Sequence, residues 1–172
     1  NKLATLPAFA RPAFVEDAAK EFETLRAAHP EIEYLDAVVV DLCGILRGKR
    51  MGIAEAAKIF ESGMQIPESV YLMDARGEMT DVFGHGYGDG DPDGTAWPIP
   101  GTLSPVWDED SKRAQILTTL RDEQGLAFAG EPRAALELVL ERFAELKLTP
   151  VTAFELEFYL LDIERDEQGR PQ

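Results

Sequence analysis

Two carboxylates, Glu155 and Glu157, lie inside the apolar run Val151-Thr152-Ala153-Phe154-Glu155-Leu156-Glu157-Phe158-Tyr159-Leu160-Leu161. In an extended chain successive side chains alternate faces. Phe154, Leu156, Phe158 and Leu160 then share one face, and Glu155 and Glu157 project from the other. Two residues of strand rise put their Cα atoms roughly 6.5–7 Å apart. Carboxylates at that spacing can converge on one hard cation or on a pair of them. Burying them in such a run is costly unless they are paired or metal-bound. Spacing alone leaves two readings equally open: an edge strand with a solvated acidic face, or a metal site.

The elements that must position this pair are legible just upstream. Pro132 suits the first position of a helix. Leu136, Val139, Leu140, Phe143 and Leu146 follow with the stripe of an amphipathic helix. The link Lys147-Leu148-Thr149-Pro150 leads directly into the carboxylate segment, which is expected to be a β-strand. Helix, short loop and strand read as the opening of an α/β layer, followed by a polar tail ending at Gln172. A layer that opens without closing is what a fragment of a longer protein is expected to show.

Earlier segments punctuate clearly. Residues 1–12 are rich in Pro and Ala and read as a poorly ordered arm. Val15, Ala18, Ala19, Phe22 and Leu25 have helical spacing, and Pro30 closes that helix. Ala37 to Leu42 is β-rich, Cys43-Gly44 is a turn, and Ile45 to Met51 is a second strand carrying Arg47, Lys49 and Arg50. A short helix is expected from Ile53 to Phe60, stopped by Gly63. Residues 84–101, where glycines alternate with Asp89, Asp91 and Asp93, read as a long loop. Ala114 to Leu120 is a strand, Asp122 to Gly125 a turn, and Leu126 to Phe128 continues beyond it.

Composition narrows the classes. The 172 residues are 45% hydrophobic, enough for a real core. A net charge of −15, from 32 acidic and 17 basic residues, argues against nucleic-acid or membrane-surface partners. No signal peptide opens the sequence and no apolar run reaches membrane-spanning length, so the expected setting is cytoplasmic. The single cysteine, Cys43, suits a reducing compartment and reads as a buried structural thiol.

Other chemistry-bearing residues form weaker sets. Arg47, Lys49 and Arg50 lack the spacing of a phosphate-binding loop and are expected to pair with carboxylates or a subunit partner. Counting from Asp89, the twelfth position is Pro100 rather than glutamate, which argues against an EF-hand. His29 and His85 stand apart from any second histidine at ligand spacing. No Ser/His/Asp or Cys/His nucleophile set assembles.

From about Tyr34 to Asp162 the sequence resembles the glutamine synthetase family, and within it the γ-glutamylpolyamine (γ-glutamylputrescine) synthetases. The resemblance rests on Val40-Asp41-Leu42-Cys43-Gly44-Ile45-Leu46-Arg47-Gly48-Lys49-Arg50, Phe60-Glu61-Ser62-Gly63, Gly130-Glu131-Pro132-Arg133 and Phe154-Glu155-Leu156-Glu157-Phe158-Tyr159-Leu160. It implies that Glu155 and Glu157 are ligands of Mg²⁺ or Mn²⁺ near the ATP and glutamate sites. One departure is informative. Glutamine synthetases carry Asp-Gly-Ser-Ser after the Phe-x-x-Gly motif, and that aspartate helps bind ammonium. Here the stretch is Ile66-Pro67-Glu68-Ser69-Val70, with Pro67 in the aspartate's place. A second ammonium-site acid corresponds to Asp93. Losing one of the two carboxylates points to an amine larger than ammonia, which the acidic loop would steer inward.

The resemblance implies an α+β fold: a β-grasp-like N-terminal domain, then the start of a glutamine-synthetase-type α/β catalytic domain. The expected divisions are 1–31 (arm and helix), 32–128 (β-grasp-like domain) and 129–172 (start of the catalytic domain, cut short). It also implies an ATP-dependent ligase joining the γ-carboxylate of glutamate to an amine, putrescine or another polyamine, through γ-glutamyl phosphate. Ordinary glutamine synthetase using ammonia and a non-catalytic structural member are the alternatives. Family members assemble as dodecamers of two hexameric rings. Asp93 and Trp97 would then reach the active site of the neighbouring subunit, and this stretch alone would be inactive.

Overall fold

A computed structural model describes residues 11–80, 88, 90–107, 112–122 and 125–171. The arm expected over residues 1–12 therefore lies almost wholly outside the described residues, as do His85 and Asp89. The chain forms two compact units, Asn1–Val139 and Leu140–Gln172.

The first unit is α+β, as expected. Helix α1 (Val15–Ala28) buries Val15, Ala18, Phe22 and Leu25, the helical stripe read from the sequence. Strands β1 (Tyr34–Val40) and β2 (Leu46–Gly52) form an antiparallel hairpin with Val40 opposite Leu46. Two short helices follow, α2 (Ile53–Ala56) and α3 (Lys58–Ser62), where the sequence suggested one. Next come β3 (Met64–Pro67), a 3₁₀ turn (Glu68–Leu72), β4 (Asp93–Pro98), β5 (Ser104–Pro105) and β6 (Arg113–Arg121). The sheet order is β2-β1-β6-β4-β3, with β5 beside β6. Strands β1 and β6 are parallel, whereas the other pairings are antiparallel.

Period-two alternation puts Leu35, Ala37 and Val39 of β1 in the core beside Ala114 and Ile116 of β6. Phe22 of α1 stacks on Phe60 of α3, with ring centroids 4.8 Å apart, which closes the helical layer over that face. Gly63 ends α3 at φ 70°, a conformation that favours glycine. A Cβ there would stand 2.2 Å from Thr95 Cγ2, so β4 passes against the backbone at this point.

Strand β4 corrects the expectation of an uninterrupted loop over residues 84–101. Gly94, Thr95, Ala96, Trp97 and Pro98 are all buried. The strand lies between β3 and β6 and is covered on both faces, so it shows no alternation to read.

Helix α4 (Pro132–Glu145) starts at the expected proline. Of its residues only Ala134 is classed as buried, and Leu136, Val139 and Leu140 are exposed. The carboxylate segment contains a second correction: residues 151–160 have no regular secondary structure. A strand is made by hydrogen bonds to a neighbour, and among the described residues none pairs with this segment. Phe154, Leu156, Phe158 and Leu160 accordingly stay exposed.

Candidate functional site

Strands β3 and β4 bring two distant segments to one point. Their antiparallel register sets Pro67, the last residue of β3, directly opposite Asp93, the first of β4. Pro67 is half-buried and Asp93 is exposed, so the aspartate's carboxylate faces water. Residues on either side are tied together. Glu68 N donates to Pro92 O at 3.1 Å. The Asp91 carboxylate accepts from Ser69 N at 3.3 Å and from Ser69 Oγ at 3.0 Å. Ser69 is 3% exposed, and Asp91 adopts a left-handed φ of 51°.

The 3₁₀ turn after Pro67 is anchored from below. Tyr71, fully buried, donates its hydroxyl to Glu131 Oε1 at 3.0 Å. Glu131 Oε2 accepts from Thr119 Oγ1 at 2.8 Å and from Leu120 N at 3.1 Å. Burial pushes the Glu131 carboxyl above its usual range, and its three donors pull it only part of the way back. Burial, with the Glu131 charge behind it, likewise pushes the Tyr71 phenol up. One carboxylate thus ties the turn, β6 and the head of α4 together. The sequence signal was present but not used: a glutamate directly before Pro132, and a tyrosine in a buried run whose hydroxyl needs a partner.

The basic cluster pairs internally. Arg47 Nε donates to Asp41 Oδ2 at 2.6 Å, and Arg50 Nε to Asp36 Oδ1 at 2.7 Å. Arg113 joins Asp36 at 3.1 Å, while Lys49 Nζ donates to the Gln65 carbonyl. Hydrogen bonds from Arg50 hold the Asp36 carboxyl below its usual range. Burial raises the Asp41 carboxyl, but Arg47 and the N–H groups of Ile45 and Cys43 outweigh it and the net shift is downward.

Two expectations change at the site. Cys43 is exposed rather than buried, because the turn between β1 and β2 that holds it lies at the surface. Trp97 is 1% exposed within the core, so it cannot reach another subunit. Glu155 and Glu157 are exposed in the second unit, away from any ladder, and Asp93 belongs to the first unit. Among the described residues no group of three His, Cys, Asp or Glu forms a metal-binding cluster. His29 pairs with Glu31 at 3.1 Å on the surface. A groove of about 480 Å³ lined by Lys20, Glu21, His29 and Gly101 includes neither Asp93 nor the glutamate pair. It is an open surface feature with no converging chemistry, so the Pro67–Asp93 junction is the stronger candidate. No helix among the described residues is long and apolar enough to cross a membrane.

The chain is similar in sequence and in fold to known proteins. The chain is 37% identical over 157 residues to the γ-glutamylputrescine synthetase PuuA of Escherichia coli K12, covering 91% of this chain and 32% of that protein. It is 26% identical over 160 residues to a glutamine synthetase of Staphylococcus epidermidis, covering 92% of this chain and 32% of that enzyme. It therefore spans about a third of the length of these curated relatives. No family model matches the chain. Among solved structures, apo GmaS superposes with a TM-score of 0.54 at 22% identity, covering 72% of this chain and 26% of that one. A structure titled as a novel glutamine synthase homolog gives 0.55 at 20% identity, covering 67% of this chain and 27% of that one. These likenesses show the fold, and the sequence relatives show that over nine-tenths of its length this chain is similar to a γ-glutamylputrescine synthetase and to glutamine synthetases.

Proposed function

We propose that this chain is part of an ATP-dependent ligase that joins the γ-carboxylate of glutamate to a primary amine, putrescine or another polyamine. The observation that carries this reading is Pro67 opposite Asp93. A site for bare ammonium profits from a second carboxylate beside the first. Here a proline ring takes that place, so Asp93 stands opposite an apolar ring instead of a second carboxylate. That combination suits an ammonium group borne on a carbon chain. The net charge of −15 favours approach of a polycation. The identity to γ-glutamylputrescine synthetase, higher than to glutamine synthetase, supports the same amine class.

In this reading the γ-carboxylate oxygen of glutamate attacks the terminal phosphorus of ATP and ADP departs. The amine nitrogen then attacks the acyl carbon of γ-glutamyl phosphate, phosphate leaves, and the nitrogen gives up a proton. Asp93 binds and orients the amine, completing a site in a neighbouring subunit of a cytoplasmic homo-oligomer. Glu155 and Glu157 would hold Mg²⁺ or Mn²⁺. Their hard oxygen donors fit either ion, and neither carboxylate is engaged in a hydrogen bond or ion pair among the described residues. When bound, such an ion neutralises charge on the transferring phosphoryl group.

The test is product identification with the native-length protein, ATP, Mg²⁺ and glutamate. Putrescine should give the γ-glutamyl amide with one phosphate released per amide. Glutamine formed from ammonium, with no putrescine product, would support ordinary glutamine synthetase instead. Glu157→Ala should abolish turnover while leaving the fold intact; near-normal rates would remove the metal assignment.

A further inference from the structure

We propose that Ser69 and Asp91 form a clamp that positions Asp93 for the amine, a role that rests on the amine-site reading above. Asp91 and Asp93 are separated only by Pro92, whose fixed φ makes the segment stiff. Asp91 is held at φ 51°, a conformation that costs most residues energy and that aspartate tolerates better than most. Strain of this kind persists where surrounding contacts over-determine it. Such contacts surround Asp91. The Ser69 hydroxyl and N–H both donate to the Asp91 carboxylate, and Glu68 N donates to Pro92 O.

These bonds staple the approach to β4 onto the 3₁₀ turn that leaves β3. The turn is itself fixed, because Tyr71 donates to the buried Glu131. The rigid path runs from Glu131 through Tyr71 to Ser69, then through Asp91 to the start of β4. Asp93 itself is exposed, so its own burial does not define where its carboxylate lies. The clamp supplies that definition. Asp91 is thereby a positioning residue, acting through Asp93 rather than by its own charge.

Three variants separate these roles in the native-length protein, assayed for KM of putrescine, KM of glutamate and kcat. Asp91→Gly keeps the left-handed backbone and removes the acceptor. Asp91→Asn keeps an acceptor oxygen for Ser69 and removes the charge. Ser69→Ala removes the hydroxyl donor. The clamp predicts that Asp91→Gly and Ser69→Ala raise the KM for putrescine by about tenfold, with KM for glutamate unchanged. It also predicts that Asp91→Asn stays near the native value. An equal rise for Asp91→Asn and Asp91→Gly would assign the effect to charge steering and overturn the clamp. Asp93→Asn controls the underlying reading. A raised KM for Asp93→Asn beside native values for Asp91→Gly and Ser69→Ala overturns the clamp alone. An unchanged KM for Asp93→Asn overturns the amine site itself.

Discussion

Glu131 is a buried carboxylate held by three donors, with no cation hydrogen-bonded to it among the described residues. Replacing it with Ala leaves the Tyr71 hydroxyl, the Thr119 hydroxyl and the Leu120 N–H without their acceptor. Each stranded buried donor costs about 1–3 kcal/mol, so Glu131→Ala should lose about 3 kcal/mol or more in urea unfolding followed by Trp97 fluorescence. The pH dependence has a definite sign. Burial raises the Glu131 pKa above the usual 4.5, so the native state holds the proton more readily than the unfolded chain. That stabilisation is complete below pH 4.5 and is lost as pH rises through the folded value. Glu131→Gln should flatten this part of the stability–pH curve, and an unaltered slope would count against a charged, buried Glu131. Asp36 and Asp41 act in the opposite sense. Their carboxyls lie below the usual 3.8, so their contribution is present above that pH and is lost on acidification through the lowered values. Asp41→Asn should weaken the loss of stability below about pH 4 in acid titrations.

At the level of elements, the β1–β2 hairpin depends on a close approach. A Cβ on Gly48 would meet the Ala37 carbonyl oxygen at 2.0 Å and Val38 Cα at 2.8 Å. Those are backbone atoms and cannot swing aside, so Gly48→Ala should cost about 1–3 kcal/mol, read as a lower urea midpoint with an unchanged slope. Helices α1 and α4 were legible because apolar periodicity and the flanking prolines Pro30 and Pro132 act locally. Strand β6 was legible for the same reason, as a β-rich run closed by the Asp122–Gly125 turn, in which Gly125 N bonds Asp122 O at 2.8 Å. Strand β4 was not, because burial on both faces erases alternation and its glycine and proline imitate a loop. The carboxylate segment failed in the reverse direction. Its alternation was correct for a strand, but alternation supplies no partner, and the described residues contain none. The candidate site divides in the same way. Asp93 and Pro67 were both named from family resemblance, whereas their direct pairing and the Ser69–Asp91 contact depend on register between segments far apart in sequence.

For the molecule as a whole, two units carry different parts of the proposed chemistry. The first has a closed core of α1, α3 and the mixed sheet, and it presents Asp93 at the mouth of β4. In the second, Phe154, Phe158 and Leu160 remain exposed alongside Glu155 and Glu157. The curated relatives are about three times as long as this stretch, so the proposed activity is to be tested on the native-length protein. Amine choice is the sharpest commitment of the proposed reading, which rests on Pro67, rather than a second carboxylate, standing opposite Asp93. The direct measurement is phosphate release by the native-length protein with ATP, Mg²⁺ and glutamate, comparing kcat/KM for putrescine, spermidine and ammonium. The account predicts a kcat/KM for putrescine or spermidine at least about a hundredfold above that for ammonium, equivalent to ~2.7 kcal/mol of discrimination. Phosphate release supported by ammonium alone would contradict it.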